Sequence, residues 1–402
     1  MTQRKPMTAV CVNQYRGYNL LFTSFALALL GTGIAVVGIA LLTFDLAGDD
    51  AGAALGTALA VKTATYVVVA PIAAVLFGTI PKRRLMLILL LVGALIIVLL
   101  PLVRSVWQLY GLIFIFAAGS AVFNPMYQAL VPHFLSESRD AYSRALTKAR
   151  VVNELENAAS PLAAAVLLLV LDHDGLFVAA MTIFLLAAAI LSKVDIPSVN
   201  IGTKVKPLKE VGRGLRLFRD TPELRFMVPI NIAMALIVAM VMTNTVVLVQ
   251  GLFNLGERAT AIGMSAFGVG ILVGAVAMVP LLLRLKAQLI MLLGAAFGAG
   301  LLLLGTQIVS FERLLLVWLL LGIGYGLAVT PASIILRNYG RAEDRGLLYA
   351  TYFSLVNSAL FLAYPLVGWS SVALHTNTEF VLLAAIAGVA VLAAAFHVAR
   401  VQ

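Results

Sequence analysis

Few side chains in this 402-residue chain have the chemistry to carry a proton or hold a charge away from water, and those few are grouped. Asn153, Glu156, Asn157 and Ser160 fall at i, i+3, i+4 and i+7, one face of a helix, and small Ala164 continues the stripe. A carboxylate within such a stripe has two readings, reversible protonation in a watery cavity or a structural hydrogen bond between helices, and both stand. Glu154 points elsewhere; a local ion pair with Arg150, one turn earlier, is its plain reading and proton coupling its other one. Lys62 sits deep in an apolar run and needs a partner. Asp45, at the end of the preceding run, is the nearest acid if the two runs are antiparallel neighbours, so Lys62 is either half of a structural pair or a substrate-binding cation.

The elements that must hold these groups are set by composition. Residues AVILMFWYC make up 62% of the chain, charged residues 11%, and the mean hydropathy is +1.04. A soluble fold is roughly half apolar and cannot hide that much. Apolar runs able to cross a bilayer recur along the whole length, predicting transmembrane helices near 20–46, 53–77, 85–103, 109–133, 151–171, 175–192, 226–252, 260–283, 287–310, 314–336, 346–368 and 380–399. The expected class is all-α, a polytopic membrane protein of twelve spans.

The net charge of +10 follows the same topology. Lys and Arg gather in alternate loops: Arg4, Lys5 and Arg16; Lys82-Arg83-Arg84; Arg139 to Arg150; Lys193 to Arg225; Arg284 and Lys286; Arg337 to Arg345; Arg400. The opposite loops hold only Arg104, Arg258 and Arg313. Basic loops stay cytoplasmic, so both termini are expected inside and nucleic acid is not an expected partner. The sole cysteine, Cys11, excludes an internal disulfide and a cysteine metal site.

The one long connection, 193–225, carries Pro197, Pro207 and an amphipathic basic stretch, Leu208 to Phe218, suited to the inner membrane surface. It divides the chain into an N-terminal six-helix bundle (1–192), a cytoplasmic linker (193–225) and a C-terminal six-helix bundle (226–402). An internal repeat agrees: Pro125 matches Pro331, Glu137 matches Glu343 and Arg139 matches Arg345 at a shift of 206, and Pro161 lies 204 before Pro365. Spans 3, 6 and 12 are almost wholly Leu, Ile, Val and Ala, and span 9 nearly so, which suits lipid-facing positions and leaves eight helices around a central path. In the second half the interior groups are neutral: Asn231, Thr243 and Asn244 in span 7, Ser354, Asn357 and Ser358 in span 11, with Tyr325, Tyr349 and Tyr352 as aromatic surface. The ionisable interior groups are thus expected in the first half alone. Duplicated halves are a common transporter plan, with the substrate held between them near the midplane.

No converging nucleophile, acid–base pair or metal set appears, and the four histidines, His133, His173, His375 and His397, are scattered at loops or helix ends. An enzyme is not expected, nor a cofactor other than a proton gradient.

The pattern resembles the major facilitator superfamily over nearly the whole chain. PIAAVLFGTIPKRRL, Lys62 followed by Tyr66 and Pro71, FNPMYQALVP and RALTKARVVNELENAASPLAA resemble its drug:proton antiporter branch, which includes macrolide, siderophore and nickel-resistance exporters. That resemblance implies a monomeric inner-membrane exporter taking a small amphipathic molecule and protons. One departure stands out: Gly78 occupies the place of the usual Asp in the loop between spans 2 and 3, leaving the basic cluster Lys82-Arg83-Arg84. Gating is then expected to lean on Glu137 with Arg139, Glu343 with Arg345, or Glu154. An uptake symporter and a metal exporter remain the alternatives, the latter without a histidine-rich tail.

Overall fold

The computed structural model describes residues 9–76, 80–134, 159–195, 207–339 and 345–400. They are almost entirely helical: α1 (Ala9–Ala47), α2 (Ala51–Leu76), α3 (Lys82–Leu99), α4 (Val106–Phe134), α5 (159–167), α6 (His173–Leu191), α7 (Pro207–Asp220), α8 (Pro222–Arg225), α9 (Met227–Val246), α10 (Glu257–Leu281), α11 (Ala287–Leu302), α12 (Phe311–Val329), α13 (Ala332–Tyr339), α14 (Arg345–Ala373) and α15 (Thr376–Ala399). Ten stretches of the described residues are long and apolar enough to cross a membrane. The first of them, Arg16–Val69, would extend about 80 Å as one straight helix. It is instead two helices folded back at Gly48, whose φ of 55° suits glycine. Of the predicted span 151–171, residues 151–158 lie outside the described residues and the rest begins with α5.

The helices match the sequence expectations closely, with local adjustments of physical origin. Span 10 is divided at Pro331 into α12 and α13, since proline cannot donate to the carbonyl one turn earlier. Span 7 ends in a π-helical turn, Val247–Leu252. α9 is the most deeply buried of the spanning helices, whereas α3, α6 and α15 expose rows of large apolar side chains such as Leu91, Leu95, Leu186, Val389 and Leu392.

Two groups of contacts build the molecule. α1 packs on α6, where Ser24 Oγ donates to Ala187 O at 2.8 Å, and α2 packs on α4. α10 packs on α12, α11 on α12 and α15, and Trp318 Nε1 of α12 donates to Thr245 Oγ1 of α9 at 2.7 Å. The main bridge between the groups is α2 against α14. The linker helix α7 docks on α14: Phe218 is buried, and a methyl group at Gly214 would fall on the Thr351 side chain.

Candidate translocation path

The contact between α2 and α14 exists because of three glycines. A Cβ at Gly56 would lie 2.5 Å from Tyr364 O, and one at Gly368 would lie 2.4 Å from Gly52 O, so any side chain there would force the backbones apart. Small residues let helices approach this closely. Thr57 and Trp369 add a 3.3 Å hydrogen bond from the indole Nε1. All these residues sit at the end of the molecule that carries the α1–α2 turn.

A second contact closes the same end. Asp172 caps α6, its Oδ1 accepting from Gly175 N at 2.9 Å, and this sets His173 and Asp174 in the first turn. His173 Nδ1 lies 2.8 Å from Glu257 Oε1 in the first turn of α10, while its Nε2 faces Asp174 Oδ1 at 3.3 Å and Asp45 Oδ2 at 3.8 Å. This corrects the expected partner of Asp45: the charges facing it are His173, Glu257 and Asp174. Lys62 lies about 16 Å along α2 from its start, too deep for a carboxylate near the end of α1. Lys62 itself is half-buried and engaged elsewhere.

Deeper in, α2 and α14 meet through Tyr66 and Phe353, whose rings are edge to face at 6.3 Å. Tyr352 Oη donates to Asn231 Oδ1 at 3.1 Å, tying α14 to α9; Asn231 Nδ2 is buried without a partner among the described residues. Asn357 Nδ2 bonds its own helix at Phe353 O, 2.9 Å. Tyr325 packs against Phe267, with ring centroids 5.7 Å apart. Ser160 is buried, and its hydroxyl also has no partner among the described residues.

The expectation of a purely neutral second half is overturned by Glu379, only 1% exposed. Its Oε2 accepts from Asn244 Nδ2 at 2.8 Å and its Oε1 from Ser370 Oγ at 2.9 Å, joining α15, α9 and α14. The expected span 12 starts at 380, which puts Glu379 in the preceding loop. The signal available was its place in the first turn of a helix, where a carboxylate is ordinary. α15 therefore faces lipid with one side and buries an acid with the other.

At the opposite, linker-bearing end, the Arg83 guanidinium donates to Ser192 O, tying the start of α3 to the end of α6. Lys82 is engaged as well, and Arg84 is exposed. Asn153, Glu154, Glu156, Asn157, Gly78, Glu137, Arg139 and Glu343 lie outside the described residues, and Arg345 opens α14. A small pocket is lined by Thr32, Tyr66, Gly93, Ser120 and Asn124 among others, all from α1, α2, α3, α4 and α6, so it belongs to the first group of helices and does not run between the groups.

No curated protein sequence matches the chain. Among solved structures, a POT family transporter in complex with a thioalcohol-conjugated peptide superposes with a TM-score of 0.73 at 13% identity, covering 96% of this chain and 97% of that one. The nucleoside transporter NupG superposes at 0.72 and 11% identity over 97% and 99%, and the human organic anion transporter MFSD10 (TETRAN) at 0.66 and 14% over 95% and 99%. The family model of the Major Facilitator Superfamily matches residues 21–311. With that match, spanning most of the chain, and a fold shared end to end with these transporters, the chain belongs to the Major Facilitator Superfamily and is a multi-pass membrane transporter.

Proposed function

We propose that this transporter is a proton-coupled exporter of a small amphipathic molecule of the drug or siderophore class, working by alternating access as a monomer with its linker-bearing end in the cytoplasm. The observation that carries the reading is the glycine seam of α2 and α14: it closes one end by backbone contact, and such a contact opens only when whole helices tilt. Proton coupling is supported by the acids inside the membrane, Glu379 held by neutral donors only and Glu156 in the polar stripe of span 5. An amphipathic cargo suits the scarcity of charge and the aromatic groups Tyr66, Phe353, Tyr325 and Tyr352.

The test is proton flux from inside-out vesicles with an acid interior, challenged with drugs, siderophores, divalent metals and sugars. Export is supported if one amphipathic class makes protons leave and Glu156→Gln or Glu379→Gln abolishes it. Release driven by metals alone replaces the cargo. If no compound acts and one accumulates in right-side-out vesicles, the direction is uptake.

A further inference from the structure

We infer that Asp45, His173 and Glu257 form a divalent transition-metal site, of the zinc type, at the α1–α2 end of the transporter, with Asp174 as the outer carboxylate that orients the imidazole.

The donor set is the first ground. One imidazole stands among three carboxylates from α1, α6 and α10, and among the described residues every ion pair of those carboxylates is with His173. A protonated imidazole supplies one positive charge against three negative ones. A divalent cation balances the group better, and a mixed imidazole and carboxylate set suits zinc.

The geometry is the second ground. Donor atoms of Asp45, His173 and Glu257 all lie within 4.8 Å of one another. A tetrahedral ion with bonds of about 2.0–2.1 Å separates its ligand atoms by about 3.3 Å. The distances from His173 Nδ1 to Glu257 Oε1, 2.8 Å, and from His173 Nε2 to Asp45 Oδ2, 3.8 Å, bracket that ligand edge. With His173 Nδ1 on the ion, the Nε2–H faces Asp174 Oδ1 at 3.3 Å and donates to it. A carboxylate on the far ring nitrogen is the usual support of a metal-bound histidine. Water completes the fourth position, since both aspartates are about half exposed and the site is open.

Its consequence follows from where the ligands come from. Asp45 ends α1, His173 and Asp174 begin α6, and Glu257 begins α10, so a bound ion ties the two groups of helices together beside the glycine seam. Zinc on this face holds the end closed and slows transport.

Zinc chloride is titrated into the purified full-length protein in detergent, read by competition with a fluorescent zinc chelator, for wild type, His173→Ala, Asp45→Asn and Glu257→Gln. Wild type is expected to bind one zinc per chain; His173→Ala, Asp45→Asn and Glu257→Gln each lose at least tenfold in affinity. Should His173→Ala misfold, the two near-isosteric amides decide the question. Absence of saturable zinc binding, or binding that Asp45→Asn and Glu257→Gln leave unchanged, overturns the site. Calcium binding as tight as zinc also overturns it, because carboxylates alone would then suffice. The binding assay needs no gradient and no cargo, so its failure leaves the proposed export untouched, and failure of the flux assay leaves this site untouched.

Discussion

Glu379 shows what a single residue decides in this molecule. Its two oxygens accept from Asn244 and Ser370, and all three side chains are buried. Glu379→Leu removes both acceptors: the Ser370 hydroxyl falls back on Val367 O, while the Asn244 amide keeps only the weak Met240 sulfur acceptor, a loss of about 1–3 kcal/mol. The leucine variant is therefore expected to unfold at a clearly lower temperature in detergent, whereas Glu379→Gln, which keeps the shape and one acceptor, stays close to wild type. Equal melting of the leucine variant and wild type would mean that the network contributes little. The residue was not legible as buried, because a glutamate in the first turn of a helix is commonplace and only packing reveals that α9 and α14 cover it. The same holds for His173. Its partners lie far off in sequence on α1 and α10, and no local spacing joins them.

At the scale of elements the seam of α2 and α14 depends on absent side chains. A valine at position 368 would drive its Cβ against Gly52 O and Gly56 Cα, so Gly368→Val is expected to part this end. A cysteine placed at Ala60, buried in α2 one turn beyond Gly56, then reacts with a polar thiol reagent at least tenfold faster than in the unaltered seam, in a background lacking Cys11. An unchanged rate would show that the helices yield elsewhere. Helix existence and extent were readable here, since long apolar runs between charged loops have few alternative structures. Breaks such as the one at Pro331 were less so: proline permits a kink, while neighbouring helices decide its size. The glycines of α2 were legible only as small residues. Which helix they meet depends on a partner some 310 residues away.

For the whole molecule, the class and the family were legible because membrane burial leaves its record in composition, and because the basic loops and the matched prolines and charges repeat at half the chain length. The path between the halves was less so, since its walls are defined by contacts between distant helices and since Glu156 and the proposed gating pairs Glu137 with Arg139 and Glu343 with Arg345 fall outside the described residues. The central claim is that the α1–α2 end must open and close for cargo to cross. A Cβ at Gly52 lies 3.2 Å from Ser371 Cβ, close to the spacing that a disulfide spans. The most direct measurement is transport by Gly52→Cys with Ser371→Cys, in a background lacking Cys11, before and after oxidation. Forming this disulfide is expected to abolish transport and its reduction to restore it; full-rate transport with the disulfide intact would contradict alternating access through this end.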